Sequence, residues 1–230
     1  FFFNDTATTE IYTLSLHDAL SILPEADRLF GRTPAFERSQ FVPLGLLVAD
    51  PVVLVVKADA PWKTYQELVA AARAQPEQIT YGSSGAYSAS HLPIEMLAHA
   101  ANMKLRHISY SGGGPAILAV LGGHIGVTAS SPSAVMAHIK AGTLRPLLTT
   151  GAKRVAVLPD VPTAVELGYK DAEFYIWIGV FAPAATPEAV LSTLRADMQK
   201  AVTMDNGFNQ SMVKLGAVPD YRPAVAFEEF

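Results

Sequence analysis

Apolar segments, glycine- and serine-rich turns and helical patterns follow one another in this sequence, and the order strand, turn, helix occurs twice between Tyr81 and Gly123. In the first copy, residues 79–81 lead into the turn 82–85, and apolar residues recur at helical spacing from Leu92 onward. In the second copy, residues 106–108 lead into the turn 112–115, and the apolar run that follows predicts a helix. Pro115 suits the first position of a helix, so this helix is predicted to begin there.

The pattern elsewhere predicts more strands and helices in alternation. The strands are expected at 52–56, 125–128, 144–149 and 174–181, and the helices at 62–75, after Ser133 through Lys140, at 164–166 and at 187–202. Residues 52–56 are β-branched or apolar throughout, as in a strand buried on both faces. Thr64 is the candidate N-cap of the first helix, with Glu67 three residues on. Alternating strands and helices indicate a parallel sheet with right-handed crossovers.

Three strands of this predicted sheet end at Tyr81, Ile108 and Thr128, each before a turn. The carboxyl ends of parallel strands share one edge, where open α/β sheets bind ligands. Backbone N–H groups at helix N-termini attract anions, and glycine allows a ligand to approach the main chain. The sequence therefore predicts an anion site at this edge.

Composition narrows the class of protein. Of the 230 residues, 50% are hydrophobic and 17% are charged, which favours a folded chain with a large core over disorder. The net charge is −4 and there is no basic run, so nucleic acid is a poor candidate partner. There are no cysteines, which excludes disulfides and thiolate metal sites. No apolar run reaches the roughly 18 residues of a membrane span.

Residues 1–22 differ in character from the rest. They contain no basic residue and no uninterrupted apolar core, unlike a signal peptide. We interpret them as a non-native leader, translated from sequencing-adapter sequence. The alternative is a native helix beginning near Ser15, with Asp18 as a weak capping partner.

The turn around Ser83 and Ser84 admits three interpretations. Hydroxyl and N–H groups together could clamp an anion, or the turn could be purely structural. A serine nucleophile with His91 as its base would make the protein a hydrolase, although Gly82-Ser83-Ser84-Gly85 does not match G-x-S-x-G. His91 itself could donate to a carboxylate or pack against a neighbouring carbonyl. The other histidines lack metal-ligand spacing, so no metal or other cofactor is expected.

Several segments together resemble one family. The run from SSG to HL, then YSGGGPA, LGGHIGV, HIKAGTLRPLLTTGAKR, LPDVPTAVELGY and WIGVFAPAATP, is similar to the extracytoplasmic solute receptors of tripartite tricarboxylate transporters, also called Bug proteins. The resemblance covers roughly Phe41 to Phe230. The Pro-Gly-Gly turn near the start of these proteins and their last helix do not occur in this chain, so the sequence is interpreted as truncated.

The resemblance implies a type II periplasmic-binding-protein-like α/β fold with two domains, parallel or mixed sheets and helices on both faces. Residues 51–175 would form the second domain, and 23–50 with 176–230 an incomplete first domain. The turns would hold the ligand through Ser83, Ser84, Gly85, Ser88, His91, Tyr110, Gly112, Gly113, Gly114, Pro115, Ala116, Ser130 and Ser131. Ser111 stands where the family usually has a Lys or Arg-like residue.

The resemblance further implies a non-enzymatic periplasmic receptor that captures a small organic carboxylate in an interdomain cleft. Integral membrane transporter subunits would be its partners, and the receptor itself would not span the membrane. The competing hypothesis is an enzyme, either a serine hydrolase using Ser83 or Ser84 with His91, or an enzyme that handles phosphorylated substrates at the same helix ends.

Overall fold

A computed structural model of the chain describes residues 12–14, 28, 31, 33–34, 36–203, 207–214, 217 and 219–229. The strands in this part are β1 (Tyr12–Leu14), β2 (Phe41–Pro51), β3 (Val53–Lys57), β4 (Thr80–Ser83), β5 (Arg106–Ser109), β6 (Val127–Ser130), β7 (Leu144–Thr149), β8 (Tyr175–Pro183) and β9 (Pro219–Pro223). The helices are α1 (Tyr65–Ala74), α2 (Leu92–Ala100), α3 (Gly113–Leu121), α4 (Pro132–Lys140), α5 (Glu188–Thr203), α6 (Gly207–Lys214) and α7 (Ala224–Glu228). Short 3-10 helices lie at Arg38–Gln40 and Lys170–Ala172.

The described residues divide into two compact units. One unit is Asp50–Ile176, and the other combines the described residues up to Ala49 with those from Trp177 onward. The predicted domain boundaries, at 50/51 and 175/176, lie one residue from these bounds.

Residues up to Ala49 and from Trp177 are organised by a four-stranded sheet in the order β1-β8-β2-β9. β1 runs antiparallel to β8, and β2 runs antiparallel to β9. A small core of Leu44, Ala182 and Leu191 packs against this sheet. Of residues 1–22, only Tyr12–Leu14 belong to the described part, so the interpretation of this segment as a foreign leader, and the alternative helix near Ser15, fall almost entirely outside it.

The unit Asp50–Ile176 is built on a five-stranded sheet in the order β5-β4-β6-β3-β7. β4 is parallel to β5 and to β6, as the alternation of strands and helices predicts. β3 runs antiparallel to both β6 and β7, an arrangement that the alternation of strands and helices alone does not predict but that agrees with the expected parallel or mixed sheets. The crossover through α4 connects β6 to β7, which lie on either side of β3 in the sheet. β3 follows β2 directly in sequence and lies between β6 and β7 in the opposite direction. The sheet is therefore mixed.

The core of this unit confirms the prediction of a strand buried on both faces, since the four residues of β3 before Lys57 are at most 2% exposed. Tyr65, Tyr81, Leu97 and Leu148 are among the largest fully buried side chains around it. Burial of such side chains contributes about 1.5–3 kcal/mol each, which stabilises the sheet edge that carries the turns.

Local signals at helix ends are only partly confirmed. Thr64 caps α1 as predicted, because its Oγ1 accepts a hydrogen bond from Glu67 N at 3.2 Å. The helix after the second turn begins at Gly113, not at Pro115 as predicted, because Gly112 takes the extended N-cap conformation and its carbonyl accepts from Ala116 N. The short helix expected at 164–166 is a hydrogen-bonded turn, which ends at Gly168 with φ +93°.

Candidate functional site

The three predicted turns lie at one edge of the five-stranded sheet. β4 and β5 pair in parallel with Ser83 opposite Ser109, and β4 pairs with β6 with Gly82 opposite Thr128. Their carboxyl ends therefore open into the segment 84–91, which we call the serine turn, into the segment 110–114, which we call the glycine turn and which includes the first residues of α3, and into Ser131 before α4.

Direct contacts tie these segments together. Tyr110 N donates to Ser83 O at 2.9 Å, and Thr128 Oγ1 donates to Gly82 O at the same distance. The Tyr110 ring covers Gly82, where a Cβ would lie 3.0 Å from that ring and 2.4 Å from Ile125 Cδ1. Only glycine fits at position 82 without displacing these neighbours, so the first Gly of the Gly82–Gly85 motif has a packing role.

Side chains of the serine turn bond chiefly to the turn itself. Ser83 is fully buried; its Oγ donates to Gly85 O at 2.7 Å and accepts from Gly85 N at 3.2 Å. Ser84 N donates to Ser90 Oγ at 2.8 Å, and the same hydroxyl lies 3.0 Å from Ser84 Oγ and 3.1 Å from Ser88 Oγ. Ser90, which the sequence did not single out, is therefore the hub of this turn.

His91 also faces the turn. Its Nδ1 accepts a hydrogen bond from Tyr87 N at 3.0 Å, which leaves the proton of the neutral ring on Nε2. Burial, followed by the neighbouring His107, lowers the pKa of His91, and the Glu95 carboxylate opposes that shift. The structure records no bond from His91 to Ser83 or Ser84, so it does not support the competing hypothesis of a serine nucleophile with His91 as its base.

His107 is the histidine that meets a serine. Its Nε2 lies 2.7 Å from Ser83 Oγ, and its ring centroid is 4.3 Å from that of His91. Burial lowers the pKa of His107, again against the influence of Glu95. The pair does not resemble a working nucleophile and base, because no surface of Ser83 is exposed to a substrate. Sequence inspection missed His107, which is 24 residues from Ser83 and reaches it only through strand pairing.

Tyr81 completes this cluster from the core side. Its ring stacks on His107 with centroids 5.0 Å apart, and its hydroxyl donates to Glu95. Burial and the hydrogen bond with Glu95 raise the pKa of Tyr81, so the phenol stays neutral. The cluster beneath the serine turn is thus a packed layer of neutral rings.

The glycine turn differs because it retains free donors. Among the described residues, the N–H groups of Gly112, Gly113 and Gly114 have no hydrogen-bond partner, while the next donor, Ala116 N, is satisfied by Gly112 O. A Cβ at Gly113 would lie 3.9 Å from Ser130 Oγ, so the third segment approaches these donors. Gly114 and Pro115 are exposed, and Ala116 is buried beneath them.

The third segment contributes hydroxyl groups. Ser130 and Ser131 are half-buried, and Ser131 Oγ lies 3.0 Å from Ser133 Oγ. Pro132, at the start of α4, supplies no N–H. No predicted site residue carries a fixed charge, so an anion here would meet dipoles and hydroxyls. In the described part of the chain, no group of three or more His, Asp or Glu residues is placed to hold a metal ion.

Comparison with known proteins identifies the family. The sequence profile described as Tripartite tricarboxylate transporter family receptor matches residues 8–225. The chain belongs to this family. The match begins inside the segment 1–22 and well before Phe41, where the resemblance was expected to begin.

Among the relatives of this receptor family, the UPF0065 protein in the gbd 5'region of Cupriavidus necator is 37% identical over 177 residues, which cover 77% of this chain and 53% of that protein. The chain thus spans about half the length of the curated relatives that it matches. A TctC solute binding protein from Polaromonas, solved without ligand, is 28% identical with a TM-score of 0.76, covering 94% of this chain and 72% of that one.

A third relative was solved with a ligand. The R. palustris protein Rpa4515 with adipate has a TM-score of 0.76 at 26% identity, over 86% of this chain and 66% of its own. These likenesses confirm the predicted periplasmic-binding-protein-like α/β fold. None of the helices in the described part of the chain combines the length and the apolar character needed to cross a bilayer.

Proposed function

We propose that this protein is the periplasmic solute receptor of a tripartite tricarboxylate-type transporter and that it binds a small organic carboxylate at the edge formed by the three turns. The observation that carries the proposal is the set of unpartnered N–H groups at Gly112, Gly113 and Gly114, at the N-terminus of α3. Helix N-termini favour anions, and a carboxylate accepts strong charge-assisted hydrogen bonds. Family membership and the adipate complex of a relative support a carboxylate over a phosphate.

The rest of the edge supports binding without turnover. Ser83, which is hydrogen-bonded to His107, is buried and also bonded to Gly85, so we assign it a structural part in the site rather than that of a nucleophile. Ser130 adds a hydroxyl near Gly113. The ligand would then be passed to integral membrane subunits of the transporter, the partners that family membership favours.

Substitution at Gly113 tests this proposal. Gly113 is the first helical residue of α3, and Gly112 before it is extended, so Gly113→Pro removes one N–H with little strain on the helix. A hydrogen bond to a charged group contributes about 1.5–3 kcal/mol, so the affinity for the bound acid should fall by about tenfold or more. Gly113→Ala, which keeps the N–H, is the matched control.

The measurement is a thermal-shift screen of mono-, di- and tricarboxylates, adipate included, followed by calorimetric titration of any acid that raises the melting temperature. A ligand that binds only the folded state stabilises it by about 2.7 kcal/mol at a hundredfold excess over Kd. Equal affinity of wild type and Gly113→Pro would refute a role for these donors. A folded protein that responds to no acid would refute the receptor proposal.

A further inference from the structure

Two imidazoles lie beneath the serine turn, and the proposed carboxylate contacts at the glycine turn do not account for them. The ring centroids of His91 and His107 are 4.3 Å apart, and each ring has one nitrogen engaged by the turn or by the strand that leads into it. His91 accepts from the main chain of Tyr87, whereas His107 meets the hydroxyl of Ser83. The two histidines therefore respond differently to a proton.

His91 can keep its bond only while it is neutral. The bond uses the Nδ1 lone pair, and an imidazolium has two N–H donors and no acceptor. A second proton on His91 would face the N–H of Tyr87 and break this bond. Tyr87 has φ +62°, a left-handed conformation that is unfavourable for a bulky residue, so the lost bond is one that helps hold an unfavourable backbone.

Protonation of His107 is compatible with its hydrogen bond to Ser83. Two charged rings, His91 and His107, would however repel each other at a centroid distance of 4.3 Å. The Ser83 hydroxyl can accept from Nε2, so this bond persists when His107 is charged. The described titratable groups that face His91 are Tyr81 on β4, Tyr87 in the turn, Glu95 on α2 and His107 on β5. Of these, only Glu95 favours a cation, and its carboxylate already accepts the Tyr81 hydroxyl.

We propose that protonation of His91 opens the serine turn, which makes residues 84–91 a proton-sensitive switch at the edge of the sheet. In neutral solution the Tyr87 to His91 bond fixes the Tyr87 end of the turn, which the Ser90 hydroxyl does not reach in any recorded bond, and in acid that bond is lost. A carboxylate bound at this edge would be held less tightly in acid, a consequence that rests on the proposed function.

Nuclear magnetic resonance of the 230-residue chain without ligand tests the switch. The ring nitrogens of His91 should show the Nε2–H tautomer at neutral pH. On acidification, the amide signals of Tyr87 and Ser88 should move with the same midpoint as the His91 ring, and the Tyr87 amide should lose roughly fivefold protection from exchange, as expected for one hydrogen bond. An Nδ1–H tautomer, or a Tyr87 amide that does not respond when His91 titrates, would overturn the proposal.

Conservative variants separate protonation from structure. In His91→Asn, the side-chain oxygen can accept from Tyr87 N but does not titrate, so the neutral-pH spectrum of the turn should persist and its acid response should disappear. His99→Asn, at an exposed histidine near the end of the same helix, should leave that response unchanged. An acid response that survives in His91→Asn would also overturn the proposal.

A separate measurement tests whether the switch affects ligand binding. Adipate affinity is compared between wild type and His91→Asn at about pH 7.5 and about pH 5.5, so that protonation of the acid itself cancels. Wild type should lose more affinity than the variant. Equal losses would refute the link to binding. If adipate does not bind, the comparison is made with the acid that gives the largest thermal shift; a panel in which no acid binds would count against the proposed function, and the ligand-free result would still decide the switch.

Discussion

The serine turn and the glycine turn occupy neighbouring positions on one sheet edge, but their backbone N–H groups differ. In the described part of the chain, those of the serine turn are largely hydrogen-bonded within the protein, and those of the glycine turn are not. In the serine turn, the N–H groups of Ser84 and Tyr87 are bonded to Ser90 and His91 of the same segment, and that of Gly85 is bonded to Ser83 at the end of β4. In the glycine turn, three successive N–H groups are free among the described residues. A turn that satisfies its own donors is rigid but offers few of them, whereas a turn without side chains leaves its donors to a ligand.

The difference explains why two similar sequence motifs should play different parts. Side chains in Gly82-Ser83-Ser84-Gly85 can fold back on the main chain, as serine hydroxyls commonly do in turns. Gly112-Gly113-Gly114 has no side chain with which to do so. We therefore expect substitutions in the serine turn to change chiefly stability, and substitutions in the glycine turn to change chiefly binding.

The largest expected effect is at the base of the serine turn. Tyr81→Ala removes a fully buried ring that stacks on His107, and replacing a large buried aromatic side chain by Ala costs about 3–5 kcal/mol. Leu118→Ala, at a 65% exposed position on the helix that follows the glycine turn, should change stability by no more than about 0.5 kcal/mol. Urea denaturation of both variants measures the contrast, and equal losses would contradict it.

A smaller loss of stability is expected from Ser83→Ala. The change leaves His107 Nε2 and Gly85 N without their partner, and a buried unsatisfied group costs about 1–3 kcal/mol. Ligand affinity at neutral pH should stay within a few-fold of wild type, the reverse of the result expected for Gly113→Pro. Ser133→Ala, at an exposed hydroxyl, serves as the control for stability. A variant that keeps full stability but loses binding would reverse the assignment of roles.

Acid should destabilise the protein in a range set by the two histidines. The pKa values of His91 and His107 are lowered in the folded state by burial, so the unfolded chain takes up protons first. Stability should therefore be unaffected by these groups above about pH 6.5 and fall as the pH drops below that value. The exposed Glu166, whose pKa is lowered by its bonds to Thr163 and Arg154, loses its contribution only below its ordinary value of 4.5. Thermal unfolding of wild type and of the double variant His91→Asn, His107→Gln should diverge between these two values, and parallel curves would refute the assignment.

The smallest effect concerns charge beside the glycine turn. Ser111 is exposed, and Ser111→Lys places a cation near the free N–H groups without disturbing a described contact. Affinity for a dicarboxylate should rise a few-fold at low ionic strength and return to the wild-type value in high salt, because exposed charges are screened. Ser111→Glu should act in the opposite direction. Calorimetry at two salt concentrations makes the comparison, and an equal effect of Lys and Glu would exclude an electrostatic cause.

The sequence was sufficient for most of the local elements and for the character of the edge. The β-branched run at 52–56 identified a buried strand, and Thr64 with Glu67 identified the start of α1, because these signals depend on neighbours in the chain. The strand, turn, helix order around Tyr81 and Gly112 located the turns at one edge. The direction of β3 could not be read in this way, since an unbroken apolar run looks the same in a parallel or an antiparallel position.

What the sequence by itself determined is that a glycine-rich segment precedes a helix and can offer main-chain donors to an anion, a property of the residues and of helix geometry. Tertiary structure decided which donors remain free and which histidine meets Ser83. Parallel pairing places His107 opposite Tyr81, so that residues 24 positions apart in sequence come within hydrogen-bond distance. Strand register depends on the burial of whole faces of the sheet, so no local sequence pattern could predict that Ser83, His107 and Tyr81 lie together.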